Sequence, residues 1–385
     1  MNTRIVMPPT SVETPDLADL RQEVRGFLRD SQNSRLWTAG IDGWHIGWNL
    51  PFSKALADRG WVGTTTPKKY GGHGKSHIER FVITEELVAA GAPVAAHWIA
   101  DRQMAPSVLR FGSEEQKIRL LPQIAHAELT FAIGMSEPEA GSDLASVRTR
   151  ATKAAGGWLI NGSKLWTSGA HLADAVLVLA RTSPADPEHR RAGLTQFVIY
   201  LDSEGIDTRP IRWMSGASHF NEIFFENVFV PDSLVLGAVG DGWKQVTSEL
   251  NFERSGPERF LSTFPLLKAL VESNGTLTTS GAREIGRLLA RVAGIHTMSM
   301  AVSGALTRHE DVGASAAVVK VIGSLTEGDI AELADGLLGN ERFEADNHQL
   351  ASTLINSLMQ RSGFTLRGGT TEILHGVISR ELGMR

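Results

Sequence analysis

With 385 residues, 42% hydrophobic and 21% charged, the chain has the composition of a globular protein large enough for two or three domains. A formal charge of −5 leaves no footprint for a polyanion, so no nucleic-acid partner is expected and an acidic substrate would need a local basic pocket. The lack of cysteine removes disulfides, thiolate metal sites and cysteine nucleophiles and fits a cytoplasmic protein; neither a signal peptide's apolar core nor a run of about 18 apolar residues for membrane insertion is seen.

From about Asp16 to Ala127 the apolar spacing is helical. Ser76 with Glu79, and Ser113 with Gln116, have capping-box spacing, the second opening "SEEQKIRLLPQI" with carboxylates in its first turn. "GGHGKS" (Gly71 to Ser76) ends like a phosphate-binding loop, but its first glycine would fall on Lys69 and no strand precedes it. His73 and His77 are four apart with Gly74 between them and the helix starting only at Ser76, so no metal site is expected.

From Leu129 to Pro231 the pattern is β-like, with "LTFAIGM", "GWLINGSKLWTSG", "AVLVLAR", "TQFVIYL" and "EIFFENVFV" separated by turn residues, and Asn161-Gly162 reading as a hairpin turn. After "GAVGDGWKQV", a turn into a helix, the helical period returns to the end, with breaks near Gly275, Gly313 and Gly339. The expectation is an α+β multidomain protein. It comprises an N-terminal helical domain (1–128), a central antiparallel β domain (129–235) and a C-terminal helical bundle (236–385).

Within the β region, "IGMSEPEAGSDLAS" packs glycines, serines and carboxylates into fourteen residues. It reads either as an ordinary strand exit or as a loop whose open backbone N–H groups meet a ligand. With "KLWTSG" in the same domain, hydroxyls, open amides and one indole come together, which suits a flat aromatic cofactor with a phosphate tail.

"GMSEPEAGSDLAS", "NGSKLWTSGAHLADAVLVLAR" and "FNEIFFENVFVP", in that order after "GSEEQKIRLLPQI", resemble the acyl-CoA dehydrogenase family over nearly the whole chain. The resemblance implies FAD bound between the β domain and the C-terminal bundle, and oxidation of an acyl-CoA thioester to its 2,3-enoyl form. It places Met135, Ser136, Gly141, Ser142, Trp166, Thr167 and Ser168 along the flavin, with Ser142 toward the pyrophosphate or the substrate. Ser136 and Ser168 stand where many members carry threonine, and the hydroxyl is kept. In "LRGGTTEIL" the resemblance implies Thr370 as a cofactor contact and turns Glu372 toward the cofactor or solvent.

Many members carry the catalytic base in a Tyr-Glu-Gly-Thr run near the C-terminus, where this chain has Gly368 at the glutamate's position. Branches resembling isovaleryl- and long-chain acyl-CoA dehydrogenases place it on the helix after the β domain, just before an arginine. "LNFERSG" stands there, which makes Glu253 the candidate base, the backbone N–H of Gly368 a donor to the enolate oxygen, and Arg254 a substrate anchor; the alternative is an ordinary Glu253–Arg254 helix pair. The family's Arg-x-x-Phe-Gly segment is not recognisable in "VESNGTLTTSGAREIGRLLARV", and its glutamine and double-glycine motif is reduced to "DGLLGNE", with Gly336 and Gly339. These departures resemble heteromeric bacterial members acting on bulky, steroid-like side chains. Expected partners are an acyl-CoA, an electron-accepting flavoprotein or similar acceptor, and further subunits as a homo-oligomer or with a homologous chain. A flavin oxygenase or reductase of the same fold acting on another substrate, and a non-catalytic subunit of a heteromer, stand as alternatives.

Overall fold

The computed structural model describes residues 7–272, 278–339 and 348–384, with the side chains of 249–253 and 348 outside the description. In chain order the helices before the sheet are α1 (Pro15–Asn33), α2 (Leu50–Ala57), α3 (His77–Ala89), α4 (Ala95–Ile99), α5 (Ala105–Phe111) and α6 (Glu114–Ala125). The strands are β1 (Phe131–Gly134), β2 (Arg150–Ala154), β3 (Gly157–Ser168), β4 (Ala175–Arg181), β5 (Leu194–Tyr200), β6 (Ile206–Arg212), β7 (Ser218–Pro231) and β8 (Val235–Leu236). There follow α7 (Gly242–Glu253), α8 (Phe264–Glu272), α9 (Thr279–Thr307), α10 (Gly313–Leu338), α11 (His348–Leu366) and α12 (Thr371–Glu381). Two units result: the first takes residues 1–47, 76–93 and 251–385, the second 48–75 and 94–250.

Both capping boxes are present: the Ser76 hydroxyl accepts from Glu79 N while the Glu79 side chain accepts from Ser76 N, and Ser113 and Gln116 do the same. Each pair satisfies two orphan N–H groups and fixes the start of α3 and α6. Gly313 opens α10 and Gly339 lies just past it, as the breaks in apolar spacing indicate. Gly275 lies outside the described residues.

The second unit is built on one sheet, ordered β6-β7-β3-β2-β4-β5-β8, with β1 added beside β4. Antiparallel pairing predominates, but β1 runs parallel to β4, Phe131 against Ala175 through Gly134 against Val178, and β2 meets β4 in parallel at Arg150 and Arg181. The sheet is therefore mixed rather than antiparallel. β4 is buried along its whole length, and an unbroken apolar run of this kind belongs to a strand covered on both faces.

Asn161-Gly162 is not a hairpin turn. The β2–β3 hairpin closes at Ala155-Gly156, where Gly156 has φ 75°, and Gly162 marks a bulge inside β3, where pairing with β7 slips between Ile160 and Gly162. A Cβ on Gly162 would lie 2.7 Å from Thr149 Cα, so only glycine admits the approach of the neighbouring chain. The Asn161 side chain accepts from Asn227 N (2.9 Å) and locks the bulge to β7.

In the first unit, α1 buries Leu17, Val24, Phe27 and Leu28, and α10 buries most of its length. A buried polar cluster lies within this unit. Asp42 takes two hydrogen bonds from the Arg367 guanidinium (2.5 and 2.9 Å), and the guanidinium carbon of Arg367 lies 4.7 Å from the centre of the Trp44 ring. Glu327 accepts from Ser262 N (2.8 Å), and Trp44 Nε1 donates to Ser262 Oγ (3.0 Å).

Burial pushes the Glu327 carboxyl up to about 7 from an ordinary 4.5, although Arg367 and the Ser262 hydrogen bond favour its charged form. The folded chain then holds more protons than the unfolded chain across that interval, so this group makes stability fall as pH rises from about 4.5 to about 7. Glu327→Gln, neutral throughout, should flatten that part of the curve in urea titrations from pH 4.5 to 7.5. An unchanged slope would place the proton elsewhere.

Candidate functional site

β1 runs out at Gly134 into the glycine- and serine-rich loop, and a buried ion pair sets the loop's path. Lys164, on β3, is 0% exposed; its Nζ donates to Glu137 Oε1 (2.8 Å) and to the Met135 carbonyl (3.1 Å). Its stem fits because Gly134 has no side chain: a Cβ there would sit 3.1 Å from Lys164 Cγ. Glu137 also accepts from the backbone N–H groups of Arg148 (2.5 Å) and Thr149 (2.9 Å). Burial alone would raise the Glu137 carboxyl, but the Lys164 charge and these hydrogen bonds hold it below its usual range. Burial lowers Lys164 to about 8 even with Glu137 beside it.

Glu137 and Ala140 exchange two backbone hydrogen bonds, making the Pro138-Glu139 tip a tight turn. Farther along, Arg181 at the end of β4 donates to the carbonyls of Ala145 (2.6 Å) and Val147 (3.1 Å). The loop is thus fixed at both ends, with Gly141 and Ser142 exposed and Met135 and Ser136 half-buried. A Cβ on Gly141 would meet nothing within 4 Å, which leaves open space beside the backbone.

β3 passes next to this loop, its Leu165 N donating to the Ser136 carbonyl (2.9 Å). One residue on, Trp166 has φ 60° and its residue surface is 53% exposed, at a point where the β3–β7 register slips between Lys164 and Thr167. A left-handed tryptophan is strained by about 1–3 kcal/mol, a cost that recurs at ligand sites. Its ring meets Phe220 edge-on with centroids 5.6 Å apart. Thr167 is fully buried, and its hydroxyl has no hydrogen-bond partner within the described residues. Ser168, half-buried, ends the strand.

In the first unit, α11 ends at Leu366 and two left-handed glycines follow, Gly368 (φ 70°) and Gly369 (φ 94°), before Thr370 caps α12 by accepting from Ile373 N (3.3 Å). Buried cations take both glycine carbonyls. Arg254 Nε donates to Gly368 O (3.0 Å), and Lys320 Nζ, on α10, donates to Gly369 O (2.9 Å). Arg254 is 6% exposed and Lys320 0%. Arg254 is thus engaged with the turn itself, while Glu372 is exposed in the first turn of α12. Glu253 closes α7 immediately before Arg254, and its side chain lies outside the described residues.

Sequence reasoning missed Glu137, Lys164, Arg181 and Lys320. The signal was present for Lys320, a single charge in the apolar run "AAVVKVIGSL", and for Lys164, at an inward position of a strand.

Residues 14–128 match the acyl-CoA dehydrogenase N-terminal domain and residues 132–228 the acyl-CoA dehydrogenase middle domain. The acyl-CoA dehydrogenase FadE29 of Mycobacterium tuberculosis is 32% identical over 376 residues, which span 95% of this chain and 96% of the relative. The chain belongs to the acyl-CoA dehydrogenase family. Another acyl-CoA dehydrogenase of that organism, FadE34, is 34% identical over 85% of this chain, which spans only 45% of that relative's length.

Among solved structures, the Tcur3481-Tcur3483 steroid ACAD matches with a TM-score of 0.85 at 30% identity, over 97% of this chain and 99% of that one. The ChsE4-ChsE5 complex from Mycobacterium tuberculosis matches with a TM-score of 0.83 at 26% identity, over 98% and 99%. Acyl-CoA dehydrogenases are FAD-dependent flavoprotein oxidoreductases of lipid metabolism. The residues present fit that cofactor: an exposed indole for a flat ring, a buried hydroxyl without a partner among the described residues, and open space beside the backbone at Gly141.

Replacing Trp166 with alanine should therefore weaken flavin retention and alter the visible flavin spectrum, measured after gel filtration. Full retention with an unaltered spectrum would count against the indole as a flavin contact.

Proposed function

We propose that this chain binds FAD noncovalently and oxidises an acyl-CoA thioester to its 2,3-enoyl form. The observation that carries the reading is the strained, exposed Trp166 held one residue from the hydrogen bond that ties β3 to the Ser136 loop. Met135, Ser136, Gly141, Ser142, Trp166, Thr167 and Ser168 would hold the flavin, with Thr370 and Glu372 as further contacts; the flavin supplies a hydride acceptor when bound.

The chain's own residues do the rest. The Glu253 carboxylate takes the proton from the carbon next to the thioester carbonyl, and the C–H electron pair moves toward that carbonyl. The backbone N–H of Gly368 donates to the oxygen where this charge develops. The β-carbon then gives up its hydride, the double bond forms, and the protein is left with one proton on Glu253. Arg254 serves the thioester by holding the Gly368 turn, a role its 3.0 Å bond supports better than direct anchoring. The two electrons leave for an electron-accepting flavoprotein or similar acceptor.

A second subunit, homologous to this chain, is supported by the altered "DGLLGNE" segment and by the likeness to the ChsE4-ChsE5 complex. That likeness, with the steroid ACAD, favours a bulky, steroid-like acyl group. The test is anaerobic addition of acyl-CoA thioesters to the chain purified alone and after co-expression with a homologous neighbouring gene. Bleaching of the oxidised flavin band, stronger in the co-expressed sample, is the expected result. A flavin that no acyl-CoA bleaches would favour the oxygenase or reductase reading, and full flavin occupancy and turnover in the lone chain would remove the partner.

A further inference from the structure

On α10 the buried Lys320 stands next to Val321 and one turn along from Ala317. Those two neighbours form an apolar cluster with Leu374, against which Val377 and Ile378 of α12 also pack. α12 is therefore docked on α10 by apolar contact, and an apolar side chain at position 320 would extend it. A buried ammonium instead carries a desolvation cost that its partners must offset. It donates to the Gly369 carbonyl, and its charge reaches Glu372, whose carboxyl is held below its usual range first by its own backbone N–H and by Thr370, then by His375 and Lys320. Glu372 is exposed, so water screens that attraction.

The turn that receives this bond is one the chain alone would leave loose. Gly368 and Gly369 are consecutive glycines with left-handed backbone, and two glycines in a row give the main chain its widest choice of conformation. With no side chain at 368 to wedge the turn, its carbonyls are what the protein can grip. Arg254 holds the first and Lys320 the second, and a Cβ on Gly369 would lie 3.1 Å from Arg254 Nη2, so the guanidinium packs closely on the turn. Fixing both carbonyls restrains the dihedrals of Gly368 and, with them, the direction of its N–H. The ammonium does so from within a helix of 26 residues, a rigid support.

We propose that Lys320 is a positioning residue for the reaction: by holding the Gly369 carbonyl it locks the glycine pair so that the Gly368 N–H is aimed where the enolate oxygen develops. The proposal rests on the reading above that this N–H serves the thioester carbonyl. Lys320 touches neither substrate nor flavin in this role and acts through the turn. Its burial cost is thus offset by aim at the reacting group rather than by fold stability.

The test compares the flavin-loaded wild type with Lys320→Met, which keeps most of the stem and removes the ammonium. Gly368 and Gly369 are half-buried, so water can take over the freed carbonyl, and the variant should unfold in urea at or above the wild-type midpoint. Flavin reduction by a thioester that bleaches the wild type should slow by about ten- to a hundredfold, the scale on which a misplaced group acts, with thioester affinity unchanged. In infrared difference spectra the ¹³C-labelled carbonyl of the bound enoyl-CoA product should move toward its frequency in water, because its oxygen has lost an aimed donor. Backbone hydrogen exchange across residues 366–370, followed by mass spectrometry, should quicken. A lysine that only braces the fold predicts the reverse, a lower urea midpoint with the wild-type rate and carbonyl frequency. Loss of folding, a wild-type rate or an unmoved carbonyl band in Lys320→Met would overturn the proposal. If no acyl-CoA bleaches even the wild type while exchange at the turn still quickens in Lys320→Met, the dehydrogenase reading fails and the hold of Lys320 on the turn stands; unchanged exchange in that case removes both.

Discussion

Asp42→Ala should destabilise the chain by about 3–5 kcal/mol, the cost of stripping one partner from a buried ion pair. Asp42 is fully buried and receives both guanidinium nitrogens of Arg367. Burial would raise its carboxyl, yet Arg367 and His45 hold it well below the usual carboxylate range. Its contribution is therefore present above the unfolded value and lost as pH falls toward the depressed folded one.

Without the carboxylate, the Arg367 guanidinium is left among Trp44 and Phe364, one residue before Gly368. The loss should exceed that of Asp42→Asn, which keeps two polar atoms in place. Combining Asp42→Ala with Arg367→Met should recover part of it, because the double change removes the stranded charge. Urea unfolding at pH 7 measures all three. A cost below about 1 kcal/mol for Asp42→Ala would mean that water or another anion replaces the carboxylate.

Glu253→Gln should lower the rate of flavin reduction by an authentic thioester at least about a hundredfold, the usual scale for a general base, while flavin and thioester binding persist. Gly368 has no side chain to act as base, and the Arg254 bond ties the residue after Glu253 to the Gly368 turn. A free glutamate, with a pKa of about 4.3, is too weak a base for a thioester carbon acid, so a competent one must be raised by desolvation in the substrate complex. Stopped-flow reduction from pH 5 to 9 should show that raised value in the wild type and its loss in the variant. Reduction at the wild-type rate would return Glu253 to a helix-surface partner of Arg254.

What the sequence disclosed was local or periodic. The paired caps at Ser76 and Ser113 were legible because both halves of each motif lie within one turn. β4 was legible because residues 175–180 form an unbroken apolar run, which suits a strand covered on both faces. The β1–β4 parallel pairing was not, since parallel partners carry no turn signal and Phe131 meets Ala175 across 44 residues. Asn161-Gly162 misled because a bulge glycine and a turn glycine share the same left-handed freedom, and only the approach of Thr149 separates them. The serine loop and Trp166 could be read as a ligand platform, but its buttress, Glu137 on Lys164, could not. Nor could Asp42 with Arg367, partners 325 positions apart.

The division of the chain into interleaved units sets an order of synthesis. The second unit has all its residues once position 250 has been made, whereas residues 1–47 and 76–93 of the first must wait for the segment from 251 onward. At ribosomal speeds of about 5–20 residues per second, α1 emerges roughly 10–40 s before the start of that segment. During that interval Leu17 has Phe81 and Val82 of α3 as partners but not Met300 of α9. A nascent chain stalled near residue 250 should therefore protect its sheet from protease while leaving α1 open to cleavage and to chaperone capture.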